Sequence, residues 1–137
     1  MSFEIVNPEV LGVPRGWNNG MLAPAGGRVL FVAGQTAGHG LHDTPDVGFE
    51  EQFARALEHV LHVVREAGGG PEDIGRLTIY VTDMDEYRTS LKALGSVYRN
   101  IMGTHYPAMA LVAVTALVDP HARVEIEATA VILESPS

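Results

Sequence analysis

Apolar positions along this chain alternate between two spacings, and the switches mark out its elements. Arg28-Val29-Leu30-Phe31-Val32-Ala33 is a compact apolar strand that stops at Gly34-Gln35. Phe49, Phe53, Ala56, Leu57, Val60, Val63, Val64 and Ala67 then recur at helical spacing and define one apolar stripe. Asp46 is placed to cap this helix, Glu50 and Glu51 suit the positive end of its dipole, and Gly68-Gly69-Gly70 stops it. Leu77, Ile79 and Val81 alternate with Thr78, Tyr80 and Thr82, a strand with one fully apolar face. Asp83 followed by Glu86 resembles a capping box, opening a second helix striped by Tyr87, Leu91, Leu94, Val97, Tyr98 and Ile101 and closed by Gly103. Two further strands are expected at about 109–117 and 123–133. Residues 1–27, punctuated by Pro and Gly, read as irregular or short-strand material, and 36–46 as a loop.

This order predicts two helices covering one face of a mixed sheet through right-handed crossovers. The strand at 109–117 is apolar on both sides: Met109, Leu111, Ala113 and Leu117 on one, Ala110, Val112, Val114 and Ala116 on the other. Two helices bury only one face of a sheet, so the other must be covered from outside the chain. Homo-oligomer formation through the sheet faces is the simplest cover. The length, 137 residues, is that of one domain, 1–137, with no repeat or linker.

Charge narrows the partners. A formal net charge of −8, with nine scattered basic residues, argues against a nucleic-acid backbone or an anionic membrane surface. The chain has no cysteine, which removes thiol chemistry, disulfides and Cys-ligated zinc. No basic, apolar leader opens the sequence, and no apolar run approaches the roughly 20 residues of a membrane span. A soluble cytoplasmic protein is expected.

The chemistry concentrates near the C-terminus. Glu125, in Val124-Glu125-Ile126-Glu127-Ala128, is an acid in an apolar strand and a candidate general acid or base. In that reading, apolar neighbours such as Met109 and Leu111 disfavour its charged form. The competing reading is a carboxylate that caps backbone donors or pairs with Arg123 or with an arginine of a neighbouring copy. Glu127 reads as solvated or at an interface, Met109 as a soft pocket wall or core filler, and Trp17 as a lid or an anchor for its loop. His39, His42, His59 and His62 read as surface residues and not as a metal site, and no cofactor is indicated. Gly68-Gly69-Gly70 follows a helix and is no phosphate cradle. Ser90 and Ser96 lack a visible His/Asp arrangement.

One set of residues resembles a known family. The order Asn7-Pro8, Gly16-Trp17, Leu30-Phe31-Val32-Ala33-Gly34-Gln35, Gln52, Ala67-Gly68, Thr78-Ile79-Tyr80-Val81-Thr82-Asp83-Met84, Tyr106-Pro107-Ala108 and Val124-Glu125-Ile126-Glu127-Ala128-Thr129-Ala130 is similar to the Rid family (reactive intermediate deaminase, also called YjgF or L-PSP). The resemblance implies a chorismate-mutase-like α+β fold, with a mixed six-stranded sheet and two helices on one face, assembled as a homotrimeric barrel with small-molecule pockets at the subunit clefts. It further implies hydrolysis of enamines and imines such as 2-aminoacrylate. On this chain the family's strand glutamate matches Glu125, its cleft tyrosine falls on Trp17, its strand serine on Ala33, and its carboxylate-binding arginine on Met109. Leu111 follows on the same strand face. A thioether cannot grip a carboxylate as a guanidinium does, so weak or absent 2-aminoacrylate activity is expected. Arg15, Arg88, Lys92, Arg99 and Arg123 are the candidates for a replacement cation.

Overall fold

The structure is a computed structural model describing residues 3–133. Its strands are β1 (Glu4–Val6), β2 (Gly20–Leu22), β3 (Arg28–Gln35), β4 (Ile74–Val81), β5 (Ala108–Ala113) and β6 (Val124–Ile132). Its helices are α1 (Phe49–Glu66), α2 (Met84–Thr89) and α3 (Leu91–Met102), with short 3-10 turns at Glu9–Leu11 and Pro71–Asp73. The expected six strands are present but divide in two: β1 and β2 form a hairpin sheet, and the other four form a mixed sheet ordered β3-β6-β4-β5. β6 is antiparallel to both neighbours, whereas β4 and β5 run parallel. The connection through α1 therefore leaves open one strand position, which the last strand fills.

The core lies between this sheet and the helices. Leu57, Val60, Leu61 and Val64 of α1 are fully buried against Leu77 and Val81 of β4 and Val124, Ile126 and Ala130 of β6. Along β6, buried residues alternate with half-buried Glu125, Glu127 and Thr129, which face away from the helices. That second face is bare: Phe31 is 80% exposed, and Val29 and Val112 are also open.

Several local expectations change. The first helix is capped by Gly48 and not by Asp46, with no side-chain hydrogen bond. Asp83 does cap α2, accepting from the N–H groups of Asp85 and Glu86 at 3.0 and 3.2 Å. The reciprocal half of the capping box is missing, because the Glu86 carboxylate binds the Arg123 guanidinium instead. What reads as one second helix is two, broken at Ser90 (φ −99°, ψ 3°), so three helices form where two are expected. The strand expected at 109–117 ends at Ala113, with Val114 N–H still donating to Val81 C=O. The next residue of β4 bonds to its other neighbour, Thr82 N–H donating to Arg123 C=O.

Candidate functional site

A cavity of about 730 Å³ opens between the helix side of the sheet and α2 and α3. Its floor is Phe53, Ile79, Leu94, Met109 and Leu111, and its walls include Tyr87, Leu91, Tyr98 and Tyr106. Arg15, Gly16 and Trp17 close over one side. Met109 and Leu111 point here because they lie opposite Leu77 and Ile79 in the parallel β4–β5 register, on the helix-facing side. Tyr98 and Tyr106 stack with ring centroids 5.1 Å apart. The Tyr98 hydroxyl donates to His105 C=O at 2.6 Å, and burial, with Tyr106 adding to it, raises its pKa well above the ordinary 10.0. Tyr98 therefore presents a neutral ring. Burial also raises the pKa of Tyr87, whose hydroxyl has no hydrogen-bond partner among the described residues.

The lid is fixed by asparagines. Asn18 Nδ2 donates to Tyr106 C=O at 2.6 Å and Asn18 N–H to Pro107 C=O at 3.2 Å. Asn7 Nδ2 donates to Asn18 Oδ1 at 2.8 Å, and Asn19 N–H to Asn7 Oδ1 at 2.7 Å. Gly16 sits at φ +85°, a conformation that favours glycine, and turns the chain so that Arg15 and Trp17 both border the cavity. Trp17 Nε1 donates to Asn19 Oδ1 at 3.3 Å. Trp17 thus borders the cavity and is bonded within its own loop. Of these groups, the sequence pointed to Trp17, Met109 and Leu111; Tyr87, Tyr98 and Tyr106 were legible only as helix stripe or motif.

Ala33 and Glu125 do not join them. Both belong to the bare face of the sheet, so Met109 and Leu111 are not the neighbours of Glu125 within one chain. Glu125 sits opposite Tyr80 and against Gly34, where an added Cβ would lie 2.8 Å from the Glu125 Cδ. A bulge between Val32 and Gln35 produces that approach. The alternative in which Glu125 pairs with Arg123 does not hold, since Arg123 is held by Glu86 and by Val47 C=O at 2.8 Å. Glu127 accepts from the Tyr80 hydroxyl at 2.7 Å; this bond leads burial and the nearby acids in raising the Tyr80 pKa.

The remaining candidates lie elsewhere. His39 and His59 stack at 4.8 Å, and His59 Nδ1 meets Thr36 C=O at 2.9 Å. Among the described residues no three His, Asp or Glu side chains are grouped to hold a metal ion. Arg88 faces Asp85 at 3.8 Å on the surface, and Lys92 does not border the cavity. A second, more polar cavity of about 560 Å³ is lined by Thr44, Pro45, Asp46, Gln52, His121 and Arg123. No described helix is long and apolar enough to cross a membrane.

Comparison with known proteins agrees with this architecture. A family model described as Endoribonuclease L-PSP matches residues 16–132. A conserved Rid-family protein of Yersinia pestis, YyfB, is 29% identical in sequence, with 96% of this chain and 100% of that chain covered and a TM-score of 0.78. A YjgF/YER057c/UK114 family member from Mycobacterium tuberculosis is 30% identical over 96% of this chain and 100% of that one, with a TM-score of 0.62. A RutC family protein of Pyrococcus abyssi is 28% identical over 97 residues, 66% of this chain and 69% of that protein. With a YjgF-like α+β fold and a family match running from the cavity lid to the last strand, the chain belongs to the endoribonuclease L-PSP family, the group also called Rid or YjgF.

Proposed function

We propose that this protein is a cytoplasmic homotrimer that hydrolyses a small enamine, imine or related C–N compound in a pocket shared between copies. One observation carries the reading: the candidate residues are split between two faces. The cavity holding Trp17, Met109 and Leu111 has apolar and aromatic walls and, among the described residues, no carboxylate in its lining, while Glu125 stands on the uncovered sheet beside the Ala33-Gly34 bulge. A neighbouring copy that lays its bare face against the cavity mouth unites acid and apolar wall. In the hydrolysis, water adds to the C=N carbon, giving a proton to Glu125. Glu125 returns that proton to the nitrogen, and as the C–N bond breaks the hydroxyl proton of the adduct moves to the departing nitrogen, releasing an amine or ammonia and a carbonyl product. The acidic net charge of −8 supports a small molecule over a nucleic acid as partner.

Met109 sets a limit on substrate. Its thioether offers no charge to a carboxylate at that position, so 2-aminoacrylate is turned over weakly or not at all. A non-catalytic binding trimer is the second reading, favoured by the absence of an acid in the cavity of a single copy. Glu125→Gln separates the two. The enzyme reading expects turnover of an imine panel to fall by about 100-fold or more, with ligand binding retained. Unchanged behaviour, or no turnover by the wild type, leaves the binder.

A further inference from the structure

We infer that the cavity selects a carboxylate carried on an apolar body larger than three carbons, aryl or branched alkyl, and that Arg15 and Arg99 grip the carboxylate. This rests on reading the cavity as a small-molecule pocket and specifies what enters it.

The charge distribution points there. Of the chain's nine basic residues, four arginines are tied to carboxylates: Arg55 to Glu51, Arg65 to Glu58, Arg88 to Asp85 and Arg123 to Glu86. Arg15 and Arg99 both border the cavity. Arg15 has no ion-pair or hydrogen-bond partner among the described residues, and Arg99 reaches only Ser96 Oγ at 3.5 Å. Among the described residues of a single copy, no acid lines the cavity to neutralise them. Two unneutralised guanidiniums beside an apolar cavity, in a protein of net charge −8, form an anion-seeking rim.

The rest of the lining sets the ligand's body. Tyr98 and Trp17 have their polar atoms committed to His105 C=O and Asn19 Oδ1, so each offers a ring. Phe53, Leu94, Met109 and Leu111 supply the floor. About 730 Å³ falls in the range of pockets that enclose drug-sized ligands, and a three-carbon acid leaves most of it unfilled. The asparagine contacts to Tyr106 and Pro107 hold the Arg15 segment against the start of β5, so the rim is positioned relative to Met109 before any ligand arrives.

The test uses the full chain and isothermal titration with phenylacetate, its neutral analogue phenylacetamide, and acetate. Trp17, the chain's one tryptophan, reports occupancy of the cavity by fluorescence. Phenylacetate is expected to bind at least about tenfold more tightly than either comparison ligand, the size of one charge-assisted contact. The double variant Arg15→Gln/Arg99→Gln loses that tenfold for phenylacetate while phenylacetamide stays within about twofold. Arg55→Gln, which removes a surface charge on α1, changes neither, and thermal melts establish that each variant is folded. The inference is overturned if phenylacetamide or acetate matches phenylacetate, or if Arg55→Gln weakens binding as much as the double variant. Phenylacetate binding without turnover of any imine defeats the hydrolase reading and leaves this inference standing. Glu125-dependent turnover of neutral imines without phenylacetate binding does the reverse.

Discussion

Asp119 is the buried acid that sequence reading passed over. Only 2% exposed, it accepts hydrogen bonds from Thr44 N–H at 2.9 Å, from the Thr44 hydroxyl, and from His121 N–H at 2.9 Å. The Thr44 hydroxyl outweighs the opposing effect of burial, with backbone N–H groups adding to it, and the carboxyl titrates below its ordinary 3.8. A lowered folded-state value means that the stability this group contributes is complete above pH 3.8 and drains away as the pH falls through the folded value. Asp119→Asn should therefore melt lower at neutral pH and lose less stability on acidification than the wild type; parallel melting curves against pH would refute this. Glu125 was easier to find, because an acid between Val124 and Ile126 is conspicuous in a strand. Its neighbours were not legible. Strand periodicity places Glu125 on one face, but which residues of β5 share that face depends on the register between strands.

At the scale of elements, the lid depends on a few side-chain bonds. Asn18→Ala removes the donor to Tyr106 C=O and the acceptor of Asn7, and should cost about 1–2 kcal/mol in a urea titration. It should also speed amide exchange in the Arg15–Trp17 segment while leaving α1 protected. Equal protection in variant and wild type would mean that the lid is held by packing alone. The Asn residues carried no sequence signal of this role, since their partner at Tyr106 is 88 residues away. The long helix α1 was legible because its stripe is strong, and Leu57, Val60, Leu61 and Val64 all end up buried. The break at Ser90 was not, because the apolar spacing continues across it. Tyr87 of α2 and Leu91 of α3, on either side of the break, both stand in the cavity wall, and Leu94 lies in its floor.

At the scale of the molecule, one face of the main sheet is left uncovered by the chain's own helices. Phe31, 80% exposed, and the open Val29 and Val112 make a face that water solvates poorly. Placing a charge there with Phe31→Glu should convert the proposed trimer to monomers, read by sedimentation velocity, and should abolish imine turnover because Glu125 then loses the neighbouring cavity. A wild type that sediments as a monomer, or a variant that remains trimeric, counts against the arrangement. The bare face was foreseeable from the doubly apolar fifth strand, although β5 proved shorter than expected.

Periodicity and composition alone determined a mixed sheet with helices on one face, the two faces of β4 and β5, the main helix and the exclusion of thiol chemistry. These are local properties, written in spacings of two and of three to four residues and in residue counts. Tertiary structure alone decided that Trp17, Arg15, Arg99, Met109 and Leu111 surround one cavity while Glu125 and Ala33 lie across the sheet from it. Such neighbours are separated by tens of residues, and only strand order, the β4–β5 register and the asparagine-held lid bring them together or keep them apart.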